Sequence, residues 1–317
     1  MKLRILCLTS PAVMKLTAAA LTRKVLVVAM NRSLILPVLL LLPPAGRADS
    51  TISSTEKFAF AANAGWINFR PVEAGTAEGV VFGDYFLSGR AYAANFGWID
   101  LGDGSPANGV RYQNNTAADC GVNHDGAGNL SGFAYAANAG WINFGWASAA
   151  EAERPRVNLL TGAFSGYAWS ANLGWISLGG NLTATDMICP DSDSDGISDS
   201  WEHEHFNNLT TANAASNQDG DSATDLQEFL AATDPRDAGD FLKLVAAVYN
   251  SGRTQVQLTF TTKPARLYRL QTSTDLAVWT DSAEGTFAPD AGATTTRTIS
   301  WQGGARHFVR AIAIKPL

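Results

Sequence analysis

Four runs of this chain repeat one pattern, and the pattern confines its N-terminal half to short antiparallel strands. Phe58 to Phe69 (FAFAANAGWINF), Ser88 to Gly102 (SGRAYAANFGWIDLG), Ser131 to Gly145 (SGFAYAANAGWINFG) and Ser165 to Gly179 (SGYAWSANLGWISLG) align around Asn-x-Gly-Trp. The tryptophans are Trp66, Trp98, Trp141 and Trp175, separated by 32, 43 and 34 residues, and an aromatic residue stands six before each: Phe60, Tyr92, Tyr135 and Trp169. Asn63, Asn95, Asn138 and Asn172 lie three before each Trp. Asn and Gly tolerate positive φ, so each run reads as strand, tight turn, strand, with the aromatic and the Trp paired across a hairpin.

A further short strand precedes the later units, as in Arg156 to Leu160 before Thr161-Gly162. The unit is short for a four-stranded propeller blade. The expectation is a compact all-β repeat domain of about 10 to 12 short strands, with barrel, prism and solenoid all open. Such a column of aromatics is ordinarily a core staple, one per repeat, and is read so here. The alternative is a set of exposed platforms for sugar rings, for which Trp146, outside the column, is the better candidate. The run resembles a repeat of secreted bacterial proteins, a resemblance that implies a location and no chemistry.

At 317 residues the chain is long enough for two or three domains of about 100 to 200 residues each. Only 16% of residues are charged, and 29 Gly and 9 Trp favour turns and strands over long amphipathic helices. The net charge of −6 has the wrong sign for general nucleic-acid binding. That charge is segregated. Residues 186–240 hold 11 Asp and 3 Glu against the single Arg236, a net of −13, whereas 241–317 carry a net of +5.

The first 48 residues contain 7 Lys and Arg, no acids, an apolar run from Leu34 to Leu42, then Pro43-Pro44-Ala45-Gly46-Arg47-Ala48. This reads as a secretory signal peptide cleaved after Ala48, with Met30 an alternative start. No later segment is long and apolar enough for a transmembrane helix, so the mature protein is expected to be secreted, extracellular or on the cell surface, the periplasm being the other compartment such a leader serves. In an oxidising compartment the two remaining cysteines, Cys120 and Cys189, most simply form one disulfide; two reduced, buried thiols are the alternative.

From Asp191 the chain reads DSDSDGISDSWE, with Asp191, Asp193, Asp195, Asp199 and Glu202 at positions 1, 3, 5, 9 and 12 of a calcium loop, Gly196 at 6 and the Ile197 carbonyl at 7. Calcium takes six to eight hard oxygens, which alternating carboxylates on a sharply turning loop supply. A second loop starts 26 residues later, with Asn217, Asp219, Asp221, Asp225 and Glu228 in the same positions and the Ala223 carbonyl at 7. Its sixth residue is Ser222 rather than Gly, which with Asn at position 1 lowers its charge and its expected affinity. Short helices are expected over 199–206 and 224–231. The alternative, a solvated acidic linker, does not account for two loops in register. His203 and His205, two apart on a helix, are read as surface residues rather than a metal pair. The segment resembles the thrombospondin type 3 and dockerin-like EF-hand families, which implies a structural or docking role for calcium.

From Phe241 onward alternating runs such as TQVQLTFTT and HFVRAIAI predict a small β-sandwich. Tyr268 to Trp279 resembles a fibronectin-like or immunoglobulin-like terminal module of large secreted bacterial proteins. The expected organisation is therefore mainly β: signal peptide 1–48, all-β repeat domain 49–185, paired calcium loops 186–240 and β-sandwich 241–317. The function this favours is non-catalytic adhesion or scaffolding with calcium stiffening the joint, the partners being calcium and a polysaccharide or another surface protein. The alternative is a polysaccharide-binding protein or hydrolase using the repeat domain. There is no HExxH or GxSxG, and the acids at hand, Asp84, Asp100, Asp103 and Asp119, are equally explained as turn or cap residues.

Overall fold

Each Asn-x-Gly-Trp run folds as a β-hairpin, and the four hairpins close on one another. A computed structural model of the chain describes residues 50–71, 79–148, 150–301, 307–315 and 317; the expected signal peptide lies outside them. The strands of the repeat region are β1 (Ile52–Ala61), β2 (Gly65–Asn68), β3 (Val80–Phe82), β4 (Leu87–Ala93), β5 (Gly97–Gly102), β6 (Val122–His124), β7 (Leu130–Ala136) and β8 (Gly140–Asn143). They continue as β9 (Arg156–Val157), β10 (Phe164–Ser165), β11 (Tyr167–Ser170), β12 (Gly174–Ser177) and β13 (Leu182–Ala184). Eight of them run antiparallel in the order β1, β2, β4, β5, β7, β8, β11, β12, and β12 pairs back onto β1 through Phe60↔Ser177 and Ala61↔Ile176. The sheet is a closed barrel with no free edge.

The cross-strand pairs fall where the repeat places them: Phe60↔Trp66, Tyr92↔Trp98, Tyr135↔Trp141 and Trp169↔Trp175. Their side, however, corrects the expectation of core staples. Side chains alternate between the two faces of a strand, and the buried face carries Ala59, Ala61 and Ile67 in the first hairpin, Ala91, Ala93 and Ile99 in the second. Ala134, Ala136 and Ile142, then Ala168, Ser170 and Ile176, repeat it. A barrel of eight short strands has room inside only for side chains of about this size. The large rings are therefore turned outward, with Trp66 55%, Trp141 50% and Trp175 46% exposed and Trp98 half-buried.

The turns plug one end. The variable residue of each Asn-x-Gly enters the core, Phe96 and Leu173 on two opposite hairpins and the small Ala64 and Ala139 on the other two. Only the Gly takes the left-handed backbone, at φ 81, 88, 78 and 68° for Gly65, Gly97, Gly140 and Gly174. The Asn has a different use from the one its turn propensity suggests. Asn95, Asn138 and Asn172 each donate Nδ2 to the carbonyl of the variable residue in the preceding turn, at 2.8, 3.1 and 3.1 Å. Asn63 completes the ring against the fourth turn, where its backbone N–H reaches the Leu173 carbonyl at 3.2 Å. The other end is covered by Phe82, Leu87, Val122, Leu130, Phe164 and Leu182 of the shorter strands. Buried His124 belongs to this layer, stacked 4.8 Å from Phe82.

Two helices follow, α1 (Asp199–Phe206) and α2 (Asp225–Ala231), then β14 (Leu244–Tyr249), β15 (Gln255–Thr261), β16 (Leu267–Ser273), β17 (Thr280–Phe287), β18 (Thr294–Ser300) and β19 (Phe308–Ile314). These last strands form two three-stranded antiparallel sheets, β14-β15-β18 and β17-β16-β19, around Val256, Phe260, Tyr268, Leu270, Ile299 and Val309. The protein is mainly β, as expected. No helix among the described residues is long and apolar enough to cross a membrane.

Cys120 and Cys189 are free thiols, which corrects the expected disulfide. Cys120 sits in the insertion after β5 beside the Asn114 Oδ1 at 3.3 Å. Cys189 is held elsewhere because its neighbour Ile188 bridges Gly83 and donates to the Phe82 carbonyl, and its Sγ lies 2.7 Å from Lys315 Nζ.

The Gly of each Ser-Gly entry makes a close backbone approach. Gly166 has φ +77°, and a Cβ there would stand 2.0 Å from the Arg154 carbonyl oxygen; Gly180, at φ +94°, would meet nothing within 4 Å. Gly166→Ala is expected to cost about 3 kcal/mol and Gly180→Ala about 1 kcal/mol in denaturant unfolding. Equal costs would refute the close approach.

Candidate metal centre

The two acidic loops each end in a capped helix, and the caps set the loop geometry. Ser198 caps α1 by accepting the Trp201 N–H on its hydroxyl, and Thr224 caps α2 in a reciprocal capping box with Gln227. Asp199 and Asp225, one residue inside each helix, are expected ligands, but their carboxylates turn back to the second loop residue. Asp199 accepts the Ser192 N–H at 2.7 Å, and Asp225 the Gln218 N–H at 3.1 Å. They clamp each loop to its helix.

Within the first loop Asp191 accepts the N–H of Asp195 and of Gly196, and Asp195 accepts that of Ile197 at 2.9 Å. In the second, Asp219 accepts the Asp221 N–H at 3.1 Å and Asp221 that of Ala223. The peptides at position 7, Ile197 and Ala223, are thus oriented by the same acid in both loops. Asn217 spends its amide on the loop itself, accepting from Gly220 and donating to the Asp221 carbonyl. The tight fourth position takes left-handed φ in both, 63° at Ser194 and 77° at Gly220, and Gly196 adds 95°. Ser222 has no such φ, so the absence of Gly at its position carries no strain.

These bonds leave three carboxylates gathered in each loop, with Glu202 outside the first group. Asp191, Asp193 and Asp195 bring one oxygen each within 4.8 Å of one another, as do Asp219, Asp221 and Glu228. Glu202 and Glu228 are fully buried. Neither oxygen of Glu202 has a partner among the described residues, and the same holds for Asp195 Oδ2, Asp219 Oδ2, Asp221 Oδ2 and Glu228 Oε2. Among the described residues the Glu228 carboxylate accepts one hydrogen bond, from Thr233 Oγ1 at 3.4 Å. Burial and then the charges of Asp195, Asp193, Asp199 and Asp191 push Glu202 up to about 7. Burial and then Asp219, Asp221 and Asp225 push Glu228 up to about 8. Burial also raises Asp195 and Asp221.

Buried carboxylates without donors are costly unless a cation or a proton compensates them. The donor set is all oxygen, with no thiolate and no imidazole in either cluster, which suits a hard divalent cation. His205 is used elsewhere, packed 4.6 Å from the Trp201 ring, and His203 lies against Gly109. Both are half-buried rather than free on the surface.

The helices carrying the two glutamates lie between the barrel and the sandwich, which also meet directly where Ala265 and Leu317 pack on the barrel core. Ile197, Trp201, Ala212 and Phe229 make a small core joined by Tyr85 of the barrel, with Trp201 and Phe229 edge to face at 5.8 Å. Arg111 of the barrel pairs with Glu204 of α1 at 3.0 Å. Buried Asp84 faces Ser198, Ser200 and Lys315 at the start of α1, and burial raises its pKa. On the other side Arg266 donates to the Leu230 and Phe229 carbonyls at 2.8 and 3.1 Å, capping α2, and Ala231 enters the sandwich core. No motif signals Asp84, Arg266 or Lys315 in the sequence. The remaining acids considered for catalysis are turn residues: Asp100, Asp103 and Asp119 accept the N–H of Gly102, Ser105 and both Ala107 and Gln113.

No family model, curated protein or solved structure matches the chain.

An acid whose pKa is raised on folding binds its proton more tightly in the native state, so its stabilising contribution is full below its unfolded value and is lost as pH rises to the folded one. Without divalent cations, stability is expected to fall between about pH 4.5 and pH 8 on account of Glu202 and Glu228. Denaturant unfolding across pH of wild type against Glu202→Gln/Glu228→Gln checks this. The difference between the two should grow with pH, and a constant difference would be the contrary result.

Proposed function

We propose that the chain is a secreted or cell-surface calcium-binding protein of several domains with a non-catalytic adhesion or scaffolding role, in which calcium rigidifies the joint between the repeat barrel and the C-terminal β-sandwich. The observation that carries this reading is the pair of fully buried, twelfth-position glutamates, Glu202 without a partner for either oxygen and Glu228 with one oxygen unpartnered, on the two helices that form the joint. A calcium ion in each loop would take oxygens from Asp191, Asp193, Asp195 and Glu202, and from Asn217, Asp219, Asp221 and Glu228, with the Ile197 and Ala223 carbonyls. Several carboxylates in a flexible shell suit calcium better than magnesium, which keeps a tight octahedron and most of its water.

The mechanism is mechanical. With calcium, Glu202 and Glu228 anchor α1 and α2 to their loops, and the helices present Trp201, Phe229 and the α2 carbonyls in fixed positions to Tyr85 and Arg266. Without it the acids repel one another, and the joint loosens. The leader pattern over 1–48 supports an address where millimolar calcium is available. The resemblance to thrombospondin type 3 and dockerin-like segments supports a structural use of the ion.

Residues 49–317 should melt at higher temperature with calcium than with chelator, with about 3 kcal/mol of stabilisation from the first loop alone at a hundredfold excess over its Kd. Asp191→Ala/Asp195→Ala/Glu202→Ala should lose most of that response, and chelator should open residues 186–240 to limited proteolysis. An unchanged melt at millimolar calcium would refute the reading.

A further inference from the structure

The outward tryptophans of the barrel have no role in its core and no role at the joint. Three large rings at one register position, Trp66, Trp141 and Trp175, are about half exposed and the fourth, Trp98, is partly so, which is more than the scattered apolar residues an ordinary surface carries. They are also held rigid. Phe60 meets Trp66 edge to face at 5.1 Å, Tyr92 meets Trp98 at 5.0 Å and Tyr135 meets Trp141 at 4.9 Å. In the fourth hairpin Trp146 takes that part, 4.8 Å from Trp175, with its indole N–H donated to the Tyr167 carbonyl. Trp146 is therefore a brace for the fourth station rather than a separate platform. Rings fixed in this way offer contact area with little ordering cost on binding.

Each station also has a polar neighbour. Across the seams between hairpins Asn68 is opposite Tyr92, Asp100 opposite Tyr135, Asn143 opposite Trp169 and Ser177 opposite Phe60. Asn68, Asp100 and Asn143 are oriented by accepting the N–H of Arg70, Gly102 and Gly145, which leaves a further donor or acceptor on each side chain. A pyranose ring has one face of C–H groups, which stacks on an indole, and a rim of hydroxyls, which bonds to an amide, a carboxylate or a hydroxyl.

We propose that this belt binds neutral polysaccharide, one sugar ring or short chain segment at each of four stations around the barrel. Charge selects the neutral class. Among the described residues Arg90 is paired with Asp100 at 3.4 Å, so this pair offers a uronate, sulfate or phosphate no net positive charge at the third hairpin. Curvature selects a narrow ligand. The four stations face four directions around a closed barrel, so a flat partner or a second copy covers a minority of them, whereas separate polymer strands reach all four. The proposal stands independently of calcium binding at the joint.

The test is affinity electrophoresis of residues 49–317, in calcium throughout, through gels containing hydroxyethylcellulose, xyloglucan or glucomannan, with polygalacturonate as the acidic counterpart. Retardation is expected on at least one neutral polymer and not on polygalacturonate. Single variants at Trp66, Trp98, Trp141 and Trp175 to Ala should each weaken apparent affinity by about tenfold or less, and the quadruple variant by about 100-fold, as avidity over linked weak sites requires. Quadruple Trp→Met, which keeps apolar cover without a ring, should match the Ala variant while preserving the far-ultraviolet spectrum and melting transition. Four results would each overturn the proposal: no retardation on any neutral polymer; undiminished retardation of the folded quadruple Met variant; sedimentation of the wild type as a dimer that this variant loses; or flotation with phosphatidylcholine vesicles that this variant loses.

Discussion

Closure of the barrel is the constraint from which the rest of the repeat domain follows. Pairing of β12 with β1 leaves no sheet edge, and it does so with strands of only 4 to 10 residues. A cylinder that narrow admits Ala and Ile and excludes indole. The same closure brings four Asn-x-Gly turns together at one end, where Asn95, Asn138 and Asn172 bond to the turn before. No isolated hairpin could offer that acceptor. Large and small variable residues then alternate around the axis, Phe96 and Leu173 against Ala64 and Ala139, so that the end is filled without overpacking.

The joint follows a different economy. Its apolar core is small, four buried residues with a few partners around them, and buried carboxylates that lack donors stand on the same two helices. Burial of such acids ties the stability of this element to their protonation. Arg266 on the α2 carbonyls, Arg111 on Glu204 and Lys315 over the Phe229 ring at 4.7 Å tie it to both neighbours through charged groups.

Barrel and joint divide the labour in this reading. Under the proposed function the barrel presents a surface made rigid by closure, and calcium at the joint governs how firmly that surface is held to the sandwich. An adhesive protein needs both, because weak stations add their affinities only when they are held together on one body.

Much was legible in the sequence because it depends on contacts close along the chain. The hairpins, the pairing of each Trp with the aromatic six residues before it, the clamping of acids into two loops and the helices after them are all set by spacing and by turn chemistry. Period two also dictated that Phe60 and Trp66 share a face. It could not say which face is inside, since that depends on the radius at which eight strands close. For the same reason the asparagines read as turn formers when their side chains serve the neighbouring hairpin. Cys120 and Cys189 read as partners although the strand-like pairing of Ile188 with Gly83 holds Cys189 beside Lys315. Within the loops the acids were legible as a set, but the sequence did not separate Asp199 and Asp225, which brace backbone, from Glu202 and Glu228, which are buried with unpartnered oxygens. Short-range pattern determined which residues are paired. Only the tertiary structure decided which surface they occupy and which charges are withdrawn from water, because closure and burial are properties of the whole packed chain.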